Sequence, residues 1–186
     1  LGGTKDVDIA GIRELEPSHV IVNIDENTLP VFEALQAFVP NVIVTHPQAP
    51  ADNLDLFNLL GGIFSRQQQA QSLCEQLQNE LTNLQQRSIS AREQNVIYLI
   101  WRQPWMSVSA DTYIARMLEL INWRVVECQS QARYPELDNS ELAASGAERV
   151  LLSSEPYPFR DKHLDEVRAL SLTCKVQLVD GGMLTL

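Results

Sequence analysis

The chain has 186 residues, of which 45% are hydrophobic and 20% charged, and its formal net charge is −10. This length suffices for one substantial core or two small lobes, and the acidic balance argues against nucleic acid, whose phosphates require clustered Lys and Arg. No apolar run reaches the roughly twenty residues that span a bilayer, and Cys74, Cys128 and Cys174 lack metal-ligand spacing, which predicts buried thiols and no metal site.

The first part of the chain predicts alternating helices and strands. Apolar residues recur at helical spacing over two segments, and a short apolar run rich in β-branched residues follows each of them. In chain order the predicted elements are a helix over 6–15, a strand over 20–24, a helix over 29–38 and a strand over 41–45. This alternation predicts a parallel sheet.

Two helices are predicted next. Asp52 is expected to cap the first, over 54–63, and Gly61-Gly62 to weaken or break it near its end. From Arg66 to about Arg87, apolar residues recur at three- and four-residue steps, which predicts a helix roughly 30 Å long. Its apolar stripe lasts only about three heptads, so core packing is favoured over a coiled-coil dimer.

Alternation resumes after Ser88, with Asp111 expected to cap the helix that starts at Thr112. The predicted strands cover 96–101, 124–128, 150–153 and 176–179, and the predicted helices cover 112–122, 140–145 and 162–170. The fold class is therefore α/β, with an N-terminal lobe over 1–64, a connecting helix over 65–90 and a C-terminal lobe over 91–186.

Two aromatic segments stand out, WRQPWMSVSADTY over 101–113 and SSEPYPF over 153–159. Proline at 104, 156 and 158 cannot continue a strand ladder, so both segments are predicted to be rigid loops at the carboxyl ends of strands. Open α/β sheets bind ligands at that edge. A single aromatic residue there would more often cap the core, but two such loops favour a ligand cleft.

Six segments, in order along almost the whole chain, resemble the cobalamin-type substrate-binding proteins of ABC importers. They are GGTKD at 2–6, RELEPSHVIV at 13–22, PWMSVSADTY at 104–113, RYPEL at 133–137, LLSSEPYPF at 151–159 and VDG at 179–181. Such proteins are helical-backbone metal receptors of the class III type. The resemblance implies two parallel-sheet α/β lobes joined by a rigid helix, with a cobalamin, haem or ferric siderophore held between the lobes as transported ligand and no covalent cofactor.

Carried over by position, the resemblance implies a set of ligand contacts. Aromatic faces suit a flat macrocycle rimmed by amides or carboxylates. Trp101 and Tyr134 are weaker candidates because either could belong to the core. The expected contacts are Trp105, Met106 and Tyr113 on one loop, Glu155, Tyr157 and Phe159 on its neighbour, and Asp25, Glu26 and Asn27 after the first strand.

The chain also departs from the family pattern. Family members begin with a further strand and helix before GGTKD and continue beyond VDG, so we expect an incomplete N-terminal lobe with an exposed sheet edge that could pair with a second copy. The family's two permease-docking glutamates fall by position on Ala10 and Ser140. Asp8 and Glu141 lie nearby, yet each residue of shift turns a helical side chain by roughly 100°, so family-type docking is disfavoured.

The leading hypothesis is a non-catalytic receptor that binds a metal chelate and delivers it to an ABC permease. The alternative is a shortened binding or interaction module that no longer docks. For an enzyme, the residues to test would be Asp111, Glu155 and His163, but no nucleophile elbow, phosphate loop or metalloprotease motif occurs. The resemblance implies a periplasmic or extracytoplasmic location, whereas the free cysteines favour the cytoplasm.

Overall fold

The computed structural model describes residues 1–128, 130–170 and 174–183. The chain forms two compact units, Leu1–Pro47 and Gln48–Leu186. The boundary between them falls before the two central helices, which belong to the second unit. The residue bounds of the predicted division, 1–64, 65–90 and 91–186, stay a prediction.

The first unit contains one small parallel sheet and two helices. β1 and β2 pair in parallel, with His19 opposite Asn41 and Asn23 opposite Thr45. The core lies between the helices and one face of the sheet, where Ile12, Val22, Leu35 and Val39 are buried. In chain order the elements are α1 (Ile9–Glu14), β1 (His19–Asn23), α2 (Leu29–Gln36) and β2 (Asn41–Thr45). All four predicted elements are present.

The second unit opens with a 3₁₀ turn at Pro50–Asp52, followed by α3 (Asn53–Ile63) and the 22-residue helix α4 (Gln67–Ser88). Gly61-Gly62 was expected to weaken or break the first of these helices near its end. α3 continues through both glycines and ends one residue later, at Ile63, so the glycines do not break it. A Cβ on Gly61 would lie 2.5 Å from the Ala70 Cβ, so this glycine permits close contact between α3 and α4.

The expected cap on α3 also differs. Asp52 does occupy the N-cap position, but its side chain makes no cap hydrogen bond to the helix. Its carboxylate instead accepts from the backbone N–H groups of Gln48, at 2.8 Å, and Ala49, at 2.9 Å. Asp52 therefore stabilises the turn that leads into the helix.

The rest of the second unit is built on a four-stranded parallel sheet in the order β5-β3-β7-β8. Val96–Leu99 and Val150–Leu152 are fully buried, as expected for central parallel strands covered on both faces. The elements are β3 (Gln94–Leu99), β4 (Trp105–Met106), α5 (Tyr113–Glu119), β5 (Trp123–Val125), β6 (Glu136–Leu137), α6 (Asn139–Ala144), β7 (Arg149–Ser153), α7 (Asp161–Arg168), β8 (Lys175–Val179) and a 3₁₀ turn at Gly181–Met183.

Two local features of this unit differ from the prediction. The strand expected to reach Trp101 ends at Leu99, and β4 then pairs in antiparallel fashion with β6, Trp105 opposite Leu137. The cap of α5 is Thr112 rather than Asp111, because the Thr112 hydroxyl accepts from the Ala115 N–H at 3.3 Å. Asp111 instead accepts from the Ser109 hydroxyl and lies 3.4 Å from Arg133.

Candidate ligand-binding site

Two loops meet at the carboxyl edge of the large sheet. The first aromatic loop, residues 100–106, follows β3, and the second aromatic loop, residues 154–160, follows β7. These strands are neighbours in the sheet, so both loops leave the same edge. Each loop contains a cis peptide bond before proline, at Pro104 and at Pro156. The Tyr157 N–H donates to the Ile100 carbonyl at 3.2 Å, which joins the loops directly.

The aromatic residues of the two loops form one contiguous cluster. Trp101 meets Tyr157 edge-on with ring centroids 5.6 Å apart, and Tyr157 meets Phe159 at 4.7 Å. Trp105 stacks on Phe159 at 6.3 Å with an interplanar angle of 13°. Trp105 and Phe159 are buried, whereas Trp101 is 42% exposed and Tyr157 half-buried. The buried pair therefore supports an outer pair that is accessible to a ligand.

A cavity of about 500 Å³ lies beside this cluster, within the usual size range of small-molecule sites. The first aromatic loop forms one wall, and the segment that runs from β6 into α6 forms the other. The Trp105 indole N–H donates to the Asn139 side-chain oxygen at 2.8 Å and links the two walls. The lining residues are Gln103, Pro104, Trp105, Glu136, Leu137, Asp138, Asn139, Glu141 and Glu166.

The cavity is acidic. Its lining includes the carboxylates of Glu136, Asp138, Glu141 and Glu166, and among the described lining residues there is no Lys or Arg. Glu166 is paired with Arg102, whose Nε donates to both carboxylate oxygens at 2.8 and 3.0 Å. The site therefore favours ligand groups that are neutral or positive and that donate hydrogen bonds.

Two of these carboxylates also hold the helix that borders the cavity. Asp138 accepts from the backbone N–H groups of Ser140 and Glu141, and Glu141 accepts in return from the Asp138 N–H, all at 2.7–2.8 Å. This is a capping box. The Ser140 hydroxyl, together with these backbone donors, lowers the pKa of Asp138. The acidic wall is thus fixed in place by the start of α6.

The structure brings some of the expected site residues together and gives others separate roles. Trp105, Tyr157 and Phe159 lie in the aromatic cluster, and Glu155 is exposed beside them. The Tyr113 hydroxyl accepts from the Asn53 side chain at 2.9 Å, so it is tied to the start of α3. Outside the cluster, Met106 packs on the core formed around Val108 and Leu118, and Tyr134 is 40% exposed.

Sequence reasoning missed part of the site. Arg102, Glu166 and the segment 136–141 were not predicted as ligand contacts, and Glu141 was considered only for permease docking. Asp138-Asn-Ser-Glu141 nevertheless matches the sequence pattern of a capping box. That pattern would have indicated where α6 starts, but not that its first residues border a cavity. The pairing of β4 with β6 creates the cavity.

The expected contacts after β1 lie in the first unit and are tied to its N-terminal segment. The Glu26 carboxylate accepts from the Thr4 hydroxyl at 2.8 Å, and the Asn27 side chain donates to the Thr4 carbonyl at 2.9 Å. The Asp25 carbonyl accepts from the Lys5 ammonium, and its carboxylate lies 3.6 Å from His46 Nε2. These polar groups order the loop after β1.

The two residues expected near the permease-docking positions both cap helices. The Asp8 carboxylate accepts from the Gly11 N–H at 2.9 Å and begins α1. Glu141 belongs to the capping box of α6. Ala10 and Ser140, the positions on which the resemblance implies the family's docking glutamates would fall, are exposed. Substitutions at Asp8 or Glu141 would therefore alter helix stability as well as any docking.

The sequence and the fold agree on the class of protein. The family model for the periplasmic binding proteins matches residues 1–173, so the chain belongs to that family. The resemblance to substrate-binding proteins, the two-lobe α/β class and the prediction of a non-catalytic binding protein are thereby confirmed. Among curated protein sequences, none matches the chain.

Solved structures share the fold at low sequence identity. The vitamin B12 binding protein BtuF of Vibrio cholerae has a TM-score of 0.87 and 13% identity over 97% of this chain and 72% of its own. The heme binding protein HutB of Vibrio cholerae has a TM-score of 0.75 and 20% identity over 96% and 74%. The heme-binding protein RhuT from Roseiflexus has a TM-score of 0.77 and 15% identity over 98% and 74%.

Within the described ranges, none of the helices is long and apolar enough to cross a membrane. In the same part of the chain, no three or more His, Cys, Asp or Glu side chains are grouped so that they could hold a metal ion.

Proposed function

We propose that this chain is the substrate-binding component of an ABC importer and that its ligand is cobalamin or a closely related corrinoid. The observation that carries the proposal is the aromatic cluster at the adjacent carboxyl ends of β3 and β7, with an acidic cavity beside it. Family membership supports the binding role. A periplasmic or extracytoplasmic location and delivery to a permease follow from that role.

The aromatic cluster suits a large, flat and partly apolar ligand. Trp101 and Tyr157 present accessible ring surface, while Trp105 and Phe159 hold them from below. Aromatic contacts of this kind contribute about 0.5–1.5 kcal/mol each beyond the area they bury. A corrin ring fits this surface better than a small polar solute, which would leave the aromatic faces in contact with water.

The charge of the cavity favours a corrinoid over a porphyrin. Haem carries two propionate carboxylates, and a like-charged pair 4 Å apart costs about 1 kcal/mol in water and about 4 kcal/mol near a protein surface. The amide side chains of cobalamin are neutral, and their N–H groups can donate to Glu136 and to the other carboxylates of the cavity. The solved neighbours are named for both kinds of ligand, so the fold alone does not select between them.

A second candidate function is a binding module that does not dock on a permease. Ala10 and Ser140 stand at the family's docking positions, and Ile21 and Val44 on the β1-β2 sheet are 42% and 47% exposed. An exposed apolar sheet can pair with a second copy. A concentration-dependent dimer that fails to stimulate an importer would favour this alternative.

The binding proposal is tested by isothermal titration of cyanocobalamin into the wild-type chain and into Trp101→Ala. We expect sub-micromolar affinity that weakens at least tenfold in the variant, about 1.4 kcal/mol. Trp123→Ala is the matched control, since Trp123 begins β5 at the opposite edge of the sheet and packs under Arg149. Equal losses in both variants, or no binding by the wild type, would contradict the proposal.

A further inference from the structure

His163 is a buried histidine behind the second aromatic loop. It is the third residue of α7 and is only 3% exposed. Its ring lies edge-on to Tyr157, with centroids 5.4 Å apart, and to Phe159, with centroids 5.5 Å apart. One imidazole therefore contacts both aromatic side chains of the second aromatic loop.

Hydrogen bonds determine which imidazole nitrogen carries the proton. The Arg160 backbone N–H donates to Nδ1 at 2.8 Å, and since a backbone amide nitrogen can only donate, Nδ1 has no proton. The neutral ring then carries its proton on Nε2, which lies 3.3 Å from the Tyr157 hydroxyl oxygen. Nε2–H donates to that oxygen. In a capping box, the side chain of the third helical residue accepts a hydrogen bond from the backbone N–H of the N-cap residue, and His163 does this with Arg160. The same ring therefore also stabilises the start of α7.

These contacts direct the proton of the Tyr157 hydroxyl. Its oxygen accepts from His163 Nε2–H. Because the oxygen is the acceptor in this bond, the phenolic O–H is available to donate to a group other than His163. Tyr157 is half-buried in the outer layer of the aromatic cluster, where a ligand can reach it.

We propose that His163 is a positioning residue that fixes Tyr157 as a hydrogen-bond donor to a carbonyl oxygen of the bound ligand. This inference rests on the proposed binding function, since it concerns how the binding loop is held. It adds a specificity element: ligands with an acceptor at the edge of the macrocycle gain a hydrogen bond, and those without one leave the Tyr157 hydroxyl unpaired.

The surroundings of His163 make this arrangement depend on pH. Lys162 and Arg102 face the ring with positive charge and Glu166 with negative charge, while the Tyr157 phenol and the Arg160 N–H are its hydrogen-bond partners. Burial, reinforced by Lys162 and Arg102, lowers the pKa of His163. A protonated ring would carry an N–H on Nδ1 that faces the Arg160 N–H. Two donors cannot form a hydrogen bond, so the ring would shift, the cap would break and Tyr157 would no longer be held in place.

The first test needs no ligand. Nuclear magnetic resonance of the ¹⁵N-labelled chain should show His163 as the Nε2–H tautomer with a pKa below the ordinary value of about 6.5, and the Tyr157 ring signals should shift with the same titration. An Nδ1–H tautomer, or Tyr157 signals that ignore the titration of His163, would overturn the assignment. This outcome does not depend on whether cyanocobalamin binds.

The second test uses cyanocobalamin affinity at pH 7.5 and pH 5.5. The wild type should bind more weakly at the lower pH, and the loss of affinity should follow the fraction of His163 that the first test finds protonated at each pH. His163→Gln, which keeps an acceptor for the Arg160 N–H but cannot be protonated, should bind at pH 7.5 with no such loss at pH 5.5. Tyr157→Phe should bind more weakly at both pH values, and His19→Gln, at an exposed histidine, should match the wild type.

The two tests separate the possible failures. A pH dependence that persists in His163→Gln would refute the positioning role even if binding is tight. Absence of cyanocobalamin binding at both pH values, together with the expected tautomer and coupled titration, would refute the proposed ligand while leaving the role of His163 in holding Tyr157 intact.

Discussion

Replacing Gly61 by alanine should destabilise the second unit, although alanine is the better helix former. Within a helix, Gly→Ala gains about 1 kcal/mol. At Gly61, however, the added Cβ would lie 2.5 Å from the Ala70 Cβ and 3.3 Å from the Arg66 carbonyl oxygen. The Ala70 Cβ is fixed to its own backbone, so α3 and α4 must separate to relieve the overlap. Overpacking of this kind costs about 1–3 kcal/mol.

Gly62 provides the matched control. It lies in the same helix, and a Cβ placed there meets nothing within 4 Å. We expect Gly62→Ala to raise the free energy of unfolding by about 0.5–1 kcal/mol and Gly61→Ala to lower it, measured by urea denaturation with unchanged slope. Equal stabilisation by the two variants would show that α3 and α4 do not approach as closely as described.

Three further predictions concern the sheet edge and α6. Gly181→Ala should lower the urea midpoint and weaken cyanocobalamin binding, because the new Cβ would lie 2.4 Å from the Ser153 hydroxyl and 3.0 Å from the Glu155 N–H nitrogen. Tyr98→Phe should lower the free energy of unfolding by about 1–3 kcal/mol, since its buried 3.0 Å bond to Ser153 is lost and that hydroxyl loses a partner. Asp138→Ala should lower the urea midpoint at pH 7. Because the fold lowers the pKa of Asp138, the ionised carboxylate stabilises the fold fully above the ordinary carboxyl pKa. This stabilisation is lost as pH falls through the lowered pKa, so the urea midpoints of the variant and the wild type should converge in acid.

The sequence was sufficient for elements whose apolar residues repeat over several turns or fill a whole strand. The strands around Val96–Leu99 and Val150–Leu152 are nearly continuous apolar runs, and the stripe of α4 extends over 22 residues. Local ambiguity explains the errors at helix ends. Asp111 and Thr112 are both good N-cap residues, and the contacts of Asp111 with Ser109 and Arg133 decide between them. Two adjacent glycines predict a weakened or broken helix. The contact of Gly61 with Ala70, which explains a glycine within α3, is visible only in the structure.

The candidate site was predictable only in part, for a related reason. Proline and aromatic residues directly after two apolar runs were enough to place both aromatic loops at the carboxyl edge of the sheet. The acidic wall was not predictable, because it depends on the pairing of β4 with β6. Each of these strands has two residues, too few to show a periodic pattern, and about thirty residues of chain separate them. Glu166 and His163 reach the site from α7, and only the fold shows that this helix passes behind the second aromatic loop.

We propose that the aromatic, acidic site selects a neutral corrinoid over an anionic porphyrin. Parallel titrations of the wild-type chain with cyanocobalamin and with hemin, in the same low-salt buffer at pH 7.5, test it most directly. We expect cyanocobalamin to bind at least tenfold tighter than hemin, and the difference in affinity to narrow as added salt screens the carboxylates. Tighter hemin binding would contradict it.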